Sequence, residues 1–224
     1  MQFRLRTTHR ISLCKSLPPF QVAIDIALKN ELIKIVGKNL EKFRAFLAIE
    51  IPEGIRGWIN GEIILPLSKL PVKVKWVEPK NIHLTIRFLG DITADQADKI
   101  KSLSRNLSGL GNISLKLSEL GTFGGRYPRV VWIGLEGDTD KLSELRERVE
   151  GVCRVARIPR DDKRFSPHVT IGRVKSPANT AKLMAEIKRL KVKPLSFVAS
   201  EMILFKSTLT PEGPIYEKVE RFKF

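Results

Sequence analysis

Among 224 residues there are two cysteines, three histidines, two tyrosines and no apolar run approaching the roughly 20 residues that span a bilayer. Each scarcity excludes something. Cys14 and Cys153 stand in neither a paired nor a metal-ligand spacing, which argues against a disulfide framework and a Cys-rich zinc site and fits a reducing compartment. The basic start, Met1 to Arg10, is followed by Lys15 and Pro18-Pro19 rather than by a signal-like apolar block, so a cytoplasmic location and no membrane partner are expected. There is no GxxxxGK[ST] loop, no His-x-x-x-His and no Cys-x-x-Cys, and Gly121, Gly124 and Gly125 read as a turn between strands. No elbow-like motif marks a Ser or Cys nucleophile. Acidic residues are also short: 24 against 40 Lys and Arg, a formal charge of +16. A surface this basic concentrates polyanions, which makes nucleic acid the leading partner class; charge alone fits equally a solvated Lys/Glu-rich surface of the kind seen in heat-stable proteins.

What is present begins in earnest near Arg44. Residues 1–43 read as an N-terminal extension of unknown role, either a disordered appendage or an over-long start, with one amphipathic stretch from Ile24 to Val36. Phe46, Ala48 and Ile49 lie in a buried-strand pattern. Pro52 opens a helix bearing Ile55, Trp58, Ile59 and Ile63, which Pro66 should limit. Val72, Val74 and Trp76 alternate as a strand, and Ile82 to Gly90 forms another. Thr93 and Gln96 have capping-box spacing before a helical face of Ile100, Leu103 and Leu107. Ile113, Leu115 and Leu117 alternate again, and Val130 to Leu135 is an apolar run. A helix with Leu142, Leu145, Val149 and Val152 on one side follows. After Pro167 to Arg173, Ser176-Pro177 can start a helix with Leu183, Ile187 and Leu190. Phe197 to Leu204 and Ile215 to Phe224 read as two strands around a turn at Pro211, Gly213 and Pro214.

The pattern repeats. Phe46 and Val131 are 85 residues apart, as are His83 and His168, and each half runs strand, helix, His-x-Thr strand, helix, strand. A unit repeated at this size implies two similar lobes about a pseudo-twofold axis, with the two His-x-Thr strands facing one cleft. Alternate residues of a strand share a face, so His83 and Thr85 project together with Arg87 beyond them, while Leu84, Ile86 and Phe88 point into the core. His168 and Thr170 do the same above Val169 and Ile171. With ten threonines in the chain, the chance that two of three histidines carry Thr at +2 is about 0.6% on composition alone, so the pair reads as a site and His9 as incidental. Two imidazoles supply a base and an acid together near neutral pH, and two hydroxyls can donate to non-bridging phosphate oxygens. In-line phosphodiester cleavage needs this set, with nearby Arg or Lys holding the charge that builds on phosphorus. A catalytic zinc would need a third ligand that no motif provides, so no metal or cofactor is expected.

At these residues the chain resembles the 2H phosphoesterase family, in its RNA 2′,3′-cyclic phosphodiesterase branch, historically called 2′-5′ RNA ligase. The likeness runs from about Arg44 to Phe224. It rests on Arg44-Ala45-Phe46, on Asn81-Ile82-His83-Leu84-Thr85-Ile86 with Phe88-Leu89-Gly90, and on Arg129-Val130-Val131-Trp132. It continues through His168-Val169-Thr170-Ile171-Gly172-Arg173 and the tail Lys206-Ser207-Thr208-Leu209-Thr210-Pro211 with Gly213-Pro214-Ile215-Tyr216. Residues 1–43 match nothing in that pattern. The resemblance implies an α+β, bilobal domain over 44–224. Its two pseudo-symmetric lobes would each have an antiparallel sheet and helices outside, with the active cleft between them. It implies hydrolysis of RNA 2′,3′-cyclic phosphate ends to 2′-phosphomonoesters, with weak reverse 2′-5′ ligation of RNA such as tRNA halves, and no obligatory protein partner. By analogy His83 is the proton donor and His168 the acceptor, so His83 should start protonated and His168 neutral. Thr85 and Thr170 would contact the phosphate, and Arg129 and Tyr216 would line the cleft. The alternative reading is a non-catalytic RNA-binding module using the same basic cleft; it would not need a titratable pair.

Overall fold

The computed structural model describes residues 41–224. The readings for residues 1–40, including the stretch from Ile24 to Val36, His9 and Cys14, lie outside the described residues. Nine strands follow: β1 (Lys42–Glu50), β2 (Val74–Trp76), β3 (His83–Thr93), β4 (Ile113–Phe123), β5 (Val130–Gly137), β6 (His168–Val174), β7 (Ser196–Ala199), β8 (Glu201–Leu209) and β9 (Pro214–Lys223). Paired antiparallel in the order β7-β4-β5-β6-β3-β1-β8-β9, they form one sheet with two halves of four strands. The halves meet where β3 joins β6, and that joint is a single residue pair, Leu84 with Val169. β2 occupies the rest of that edge of β6, Val74 to Trp76 lying opposite Val174 to Gly172. β3 and β6 therefore part beyond their one shared pair, and a cleft opens between the halves.

This is the bilobal α+β arrangement expected, but lobe membership does not follow chain order. β4 pairs with β5 and β7 in the second lobe, and β8 and β9 return to β1 in the first. The segment Phe197 to Leu204 is accordingly two strands, broken at Ser200, because its ends belong to different lobes. Gly121 lies inside β4 rather than in a turn. The Trp132 ring occupies the space its side chain would need, 2.2 Å from where a Cβ would stand, so only glycine fits. Gly124, at φ +152°, does make the turn.

The helices cover the outer face. α1 (Glu53–Trp58) continues through a π-helical turn, Ile59–Ile64, into α2 (Leu65–Ser68). Pro66 does not end this helix. It sits in the first turn after the π segment, a position at which proline is tolerated. α3 (Ala94–Ile100) starts at the predicted capping box, with Thr93 Oγ1 accepting from the Gln96 amide at 3.3 Å and Gln96 Oε1 accepting from the Thr93 amide at 3.0 Å. α4 (Leu103–Asn106) is separate, so the expected single face is split between two short helices. α5 (Thr139–Val155) buries Leu142, Leu145, Val149 and Val152 against β3 and β4, as its spacing predicts. α6 (Thr180–Arg189) starts three residues after Pro177, with Leu183 and Ile187 inward.

The main core lies between this layer and the sheet and includes Leu47, Ile49, Leu84, Ile86, Val131, Ile133, Val169 and Ile171. Cys153 is buried there, and burial pushes its thiol up to about 11, which leaves it an inert packing group. A smaller cluster, Phe46, Ala48, Ile203 and Phe205 with Tyr216 against it, occupies the opposite face of the first lobe. That face carries the cleft.

Candidate active site

His83 is the first residue of β3 and His168 the first of β6, each one place before the Leu84–Val169 pair. Continuing that register by one residue each way sets His83 beside Thr170 and Thr85 beside His168 on the cleft face. The pseudo-twofold axis thus passes through the joint, and each imidazole neighbours the other motif's hydroxyl. Both imidazoles are held alike. His83 Nδ1 is 2.7 Å from the carbonyl oxygen of Asn81, and His168 Nδ1 is 2.7 Å from that of Ser166. A carbonyl only accepts, so Nδ1 carries the proton and donates, and Nε2 is left as the working nitrogen on both rings. Both histidines, both threonines, Arg173 and Tyr216 line one cavity of about 290 Å³.

Aromatic rings hold the imidazoles in place. Phe46 stacks on His83 at 4.9 Å and Tyr216 meets it edge-on at 5.5 Å. Phe123 meets His168 edge-on at 4.8 Å and is itself backed by Trp132 at 5.0 Å. This packing sets the charge state. Burial lowers the His83 pKa from 6.5 to about 4, against the raising effect of the Asn81 carbonyl; Arg173 and His168 add smaller repulsions. His168 is lowered too, chiefly by burial, partly offset by the Ser166 carbonyl. The substrate-free cleft therefore holds two neutral imidazoles near pH 7. That corrects the expectation of a resting, protonated His83: its proton has to arrive with, or be retained by, an anionic substrate.

The strict alternation read from sequence fails one step beyond each threonine. Leu47 pairs with Arg87 but Ala48 with Thr85, so Ile86 is an unpaired bulge residue. In the other lobe Val131 pairs with Gly172 but Trp132 with Thr170, and Ile171 is the bulge. A bulge puts two residues against one and reverses which side the following residues face. Arg87 consequently leaves the cleft and is buried, 5% exposed, against Glu150 at 2.6 Å and the carbonyls of Phe88 and Pro159. Phe88, assigned to the core by alternation, lines the cleft at 52% exposure. At the matching place in β6 stands Arg173, which the bulge turns into the cavity. Among the described residues Arg173 makes no ion pair, so its charge is free for a ligand. Arg129, expected in the cleft, is exposed just before β5 and is not in the cavity wall, whereas Tyr216 is. The same pairings make Val130, not Val131, the counterpart of Phe46, and Val131 is fully buried in the core. Arg173 was visible only as the end of the second motif, and nothing in its spacing distinguished it.

Buried cations stabilise the bulge. The Ile86 carbonyl, freed from the ladder, accepts from Arg146 Nη1, and Arg146 also pairs with Glu150 at 2.8 Å and Asp161 at 3.1 Å. This network ties β3 to the segment that leads into His168, so the two motifs are held by one set of ion pairs.

A family model described as the 2′-5′ RNA ligase superfamily matches residues 73–210. The chain is 37% identical over 187 residues to a protein of Methanothermobacter thermautotrophicus named RNA 2′,3′-cyclic phosphodiesterase, covering 81% of this chain and 99% of that one. It is 40% identical over 159 residues to an Aquifex aeolicus protein of the same name, covering 68% and 83%. Among solved structures, E. coli LigT complexed with 3′-AMP superposes with a TM-score of 0.64 at 25% identity, covering 82% of this chain and 98% of that one. A Thermus thermophilus protein superposes at 0.65 with 28% identity, covering 80% and 97%.

Proposed function

The chain belongs to the 2′-5′ RNA ligase superfamily, and from that membership we propose that it hydrolyses RNA 2′,3′-cyclic phosphate ends to 2′-phosphomonoesters by two-histidine acid–base catalysis. The observation that carries this reading is the pair of imidazoles, each anchored through Nδ1 to the carbonyl two residues back, opening on one cavity with two threonines and an unpaired arginine. His168 takes the proton of the attacking water at Nε2, and His83 returns one to the departing 3′ oxygen. Thr85 and Thr170 donate to the non-bridging oxygens, while Arg173 opposes the charge that grows on them. Phe88 and Phe123 offer rings to a base. The scheme calls for no metal, since both proton carriers are side chains. Relatives named RNA 2′,3′-cyclic phosphodiesterase and the complex of E. coli LigT with 3′-AMP support a nucleotide substrate. No helix of the described residues is long and apolar enough to cross a membrane. Cytoplasmic RNA ends, tRNA fragments among them, are the substrates we propose.

The test is product mapping on a short RNA ending in a 2′,3′-cyclic phosphate, followed by single substitutions. His83→Ala and His168→Ala should each lose roughly 10²–10⁴-fold, and the threonine-to-alanine variants less. A nitrophenyl phosphodiester, whose leaving group needs no proton, separates the roles. His83→Ala should recover most of its loss on it and His168→Ala should not. Recovery only in His168→Ala would reverse the assignment; no hydrolysis by the unaltered chain would end the proposal.

A further inference from the structure

The pseudo-twofold axis relates the two imidazoles, but not the residues beside them. Glu50, the last residue of β1, lies directly opposite His83, and the matching pairing in the other lobe sets Gly134 opposite His168. Opposite residues of an antiparallel pair share a face, with Cβ atoms about 5 Å apart. Glu50 therefore stands on the cleft side, and it shares a recess of about 280 Å³ with His83, Lys80, Tyr216 and Lys218. At the matching place a Cβ on Gly134 would come within 2.6 Å of Ser118 Oγ, so a neutral hydroxyl fills the space beside His168. One ring has a carboxylate neighbour and the other does not. Glu50 is in turn met by Lys218 Nζ at 2.7 Å, while Lys80 pairs with Glu78 at 2.9 Å. From β6, His168 and Arg173 also face His83, and Tyr216 of β9 is neutral because burial raises its phenol pKa. Lys75, Glu78 and Glu212 line the shared cavity but not the recess. Glu50 is thus the only carboxylate in the recess wall among the described residues. Burial dominates the proton affinity of both rings; Glu50 is the one side-chain charge that raises it at His83, and no carboxylate raises it at His168.

We infer that Glu50 is the positioning residue that makes His83, and not His168, the proton donor: its carboxylate holds the imidazolium that forms on His83, and Lys218 tempers that hold. The inference rests on the proposed function and its division of roles, for which two near-identical motifs give no reason of their own. A pair holding one proton carries it either on His83 or on His168. Only the first form has an acid at the departing O3′ and a base at the water. Where both rings are otherwise neutral, the population of that form follows the proton affinity of His83 itself. Each pH unit that Glu50 adds to that affinity therefore multiplies kcat/KM about tenfold. Glu50 itself neither gives nor takes a proton and touches no reacting atom; it acts through His83.

The test uses the full chain and its Glu50→Gln, Glu50→Asp and Lys218→Met variants. In the substrate-free protein the His83 ring, identified by its loss in His83→Ala, is titrated by carbon-13 NMR. Its pKa should fall by about one pH unit in Glu50→Gln and rise by about half a unit in Lys218→Met, with His168 moving less in both. At pH 8, kcat/KM of Glu50→Gln for cytidine 2′,3′-cyclic phosphate should fall about tenfold, and Glu50→Asp, which keeps the charge, should restore most of it. On a nitrophenyl phosphodiester, whose leaving group needs no proton, the Glu50→Gln loss should vanish. A carboxylate that merely repels an anionic substrate would do the reverse and give a gain on both esters when neutralised. Such a gain, or an equal loss on both esters, overturns the inference. So does a His83 pKa that Glu50→Gln leaves within about 0.2 units or that Lys218→Met lowers. If the unaltered chain hydrolyses neither ester, the proposed function falls, and the titration alone decides whether Glu50 sets the proton affinity of His83.

Discussion

Raising the pH above 6.5 should weaken this enzyme's capture of substrate, and the size of the loss follows from how the imidazoles are buried. Catalysis needs one ring charged and one neutral, so the pair must hold a single proton. With His83 lowered to about 4 and His168 lowered from 6.5, the substrate-free pair does so only between about pH 4 and a value under 6.5. Above that window both rings are neutral, and the singly protonated fraction falls about tenfold per pH unit. From pH 6.5 to 8.5, kcat/KM for cytidine 2′,3′-cyclic phosphate should therefore drop roughly 100-fold. The window is the same whichever ring is the acid, because forms with one proton titrate together. The profile of kcat should differ. A bound monoanion stabilises imidazolium and raises both pKa values, so its alkaline limb should lie at higher pH than that of kcat/KM. Initial rates at low and at saturating substrate, from pH 4 to 9 at constant ionic strength, measure both. A kcat/KM optimum at pH 7.5 or above, or alkaline limbs that coincide, would refute the reasoning.

Three further outcomes follow from the same geometry. Arg173→Met should lower kcat/KM by roughly 10²-fold through loss of charge opposite the phosphoryl oxygens, while Arg129→Met stays within about twofold; steady-state kinetics on the cyclic mononucleotide would expose an error in either. Arg146→Ala removes the partner of the Ile86 carbonyl and unpairs Asp161, and should cost about 3–5 kcal/mol in urea unfolding; a loss under 1 kcal/mol would show that the network does not hold the bulge. A chain beginning at Glu41 should fold and keep its activity, because β1 starts at Lys42, paired with Thr93, and Phe43 packs on the core; insolubility or inactivity would place the earlier residues within the domain.

How far the sequence carried the reading can be traced along β3. His83 and Thr85 share a face because strand geometry has a period of two, and that much needs no partner strand. One residue later the alternation breaks, since a bulge is a property of pairing: Ile86 is skipped only because Leu47 and Ala48 of another strand take Arg87 and Thr85 as neighbours. Arg87 and Phe88 exchange faces as a result, and the same event at Ile171 turns Arg173 into the cavity. The local signals were reliable where the physics is local, as in the capping box at Thr93 and Gln96 and the 3.6-residue stripe of α5. They failed where a segment is divided by its partners, as at Ser200, and where the proton affinity of an imidazole depends on rings contributed by β1 and β9. That two His-x-Thr motifs lie on similar strands of a repeated unit was legible without any fold, because spacing and alternation are properties of one chain segment. That a single pair, Leu84 with Val169, joins them, that Arg173 rather than Arg129 lines the cavity, and that both imidazoles rest neutral depends on register, bulges and burial, which arise between segments far apart in the chain.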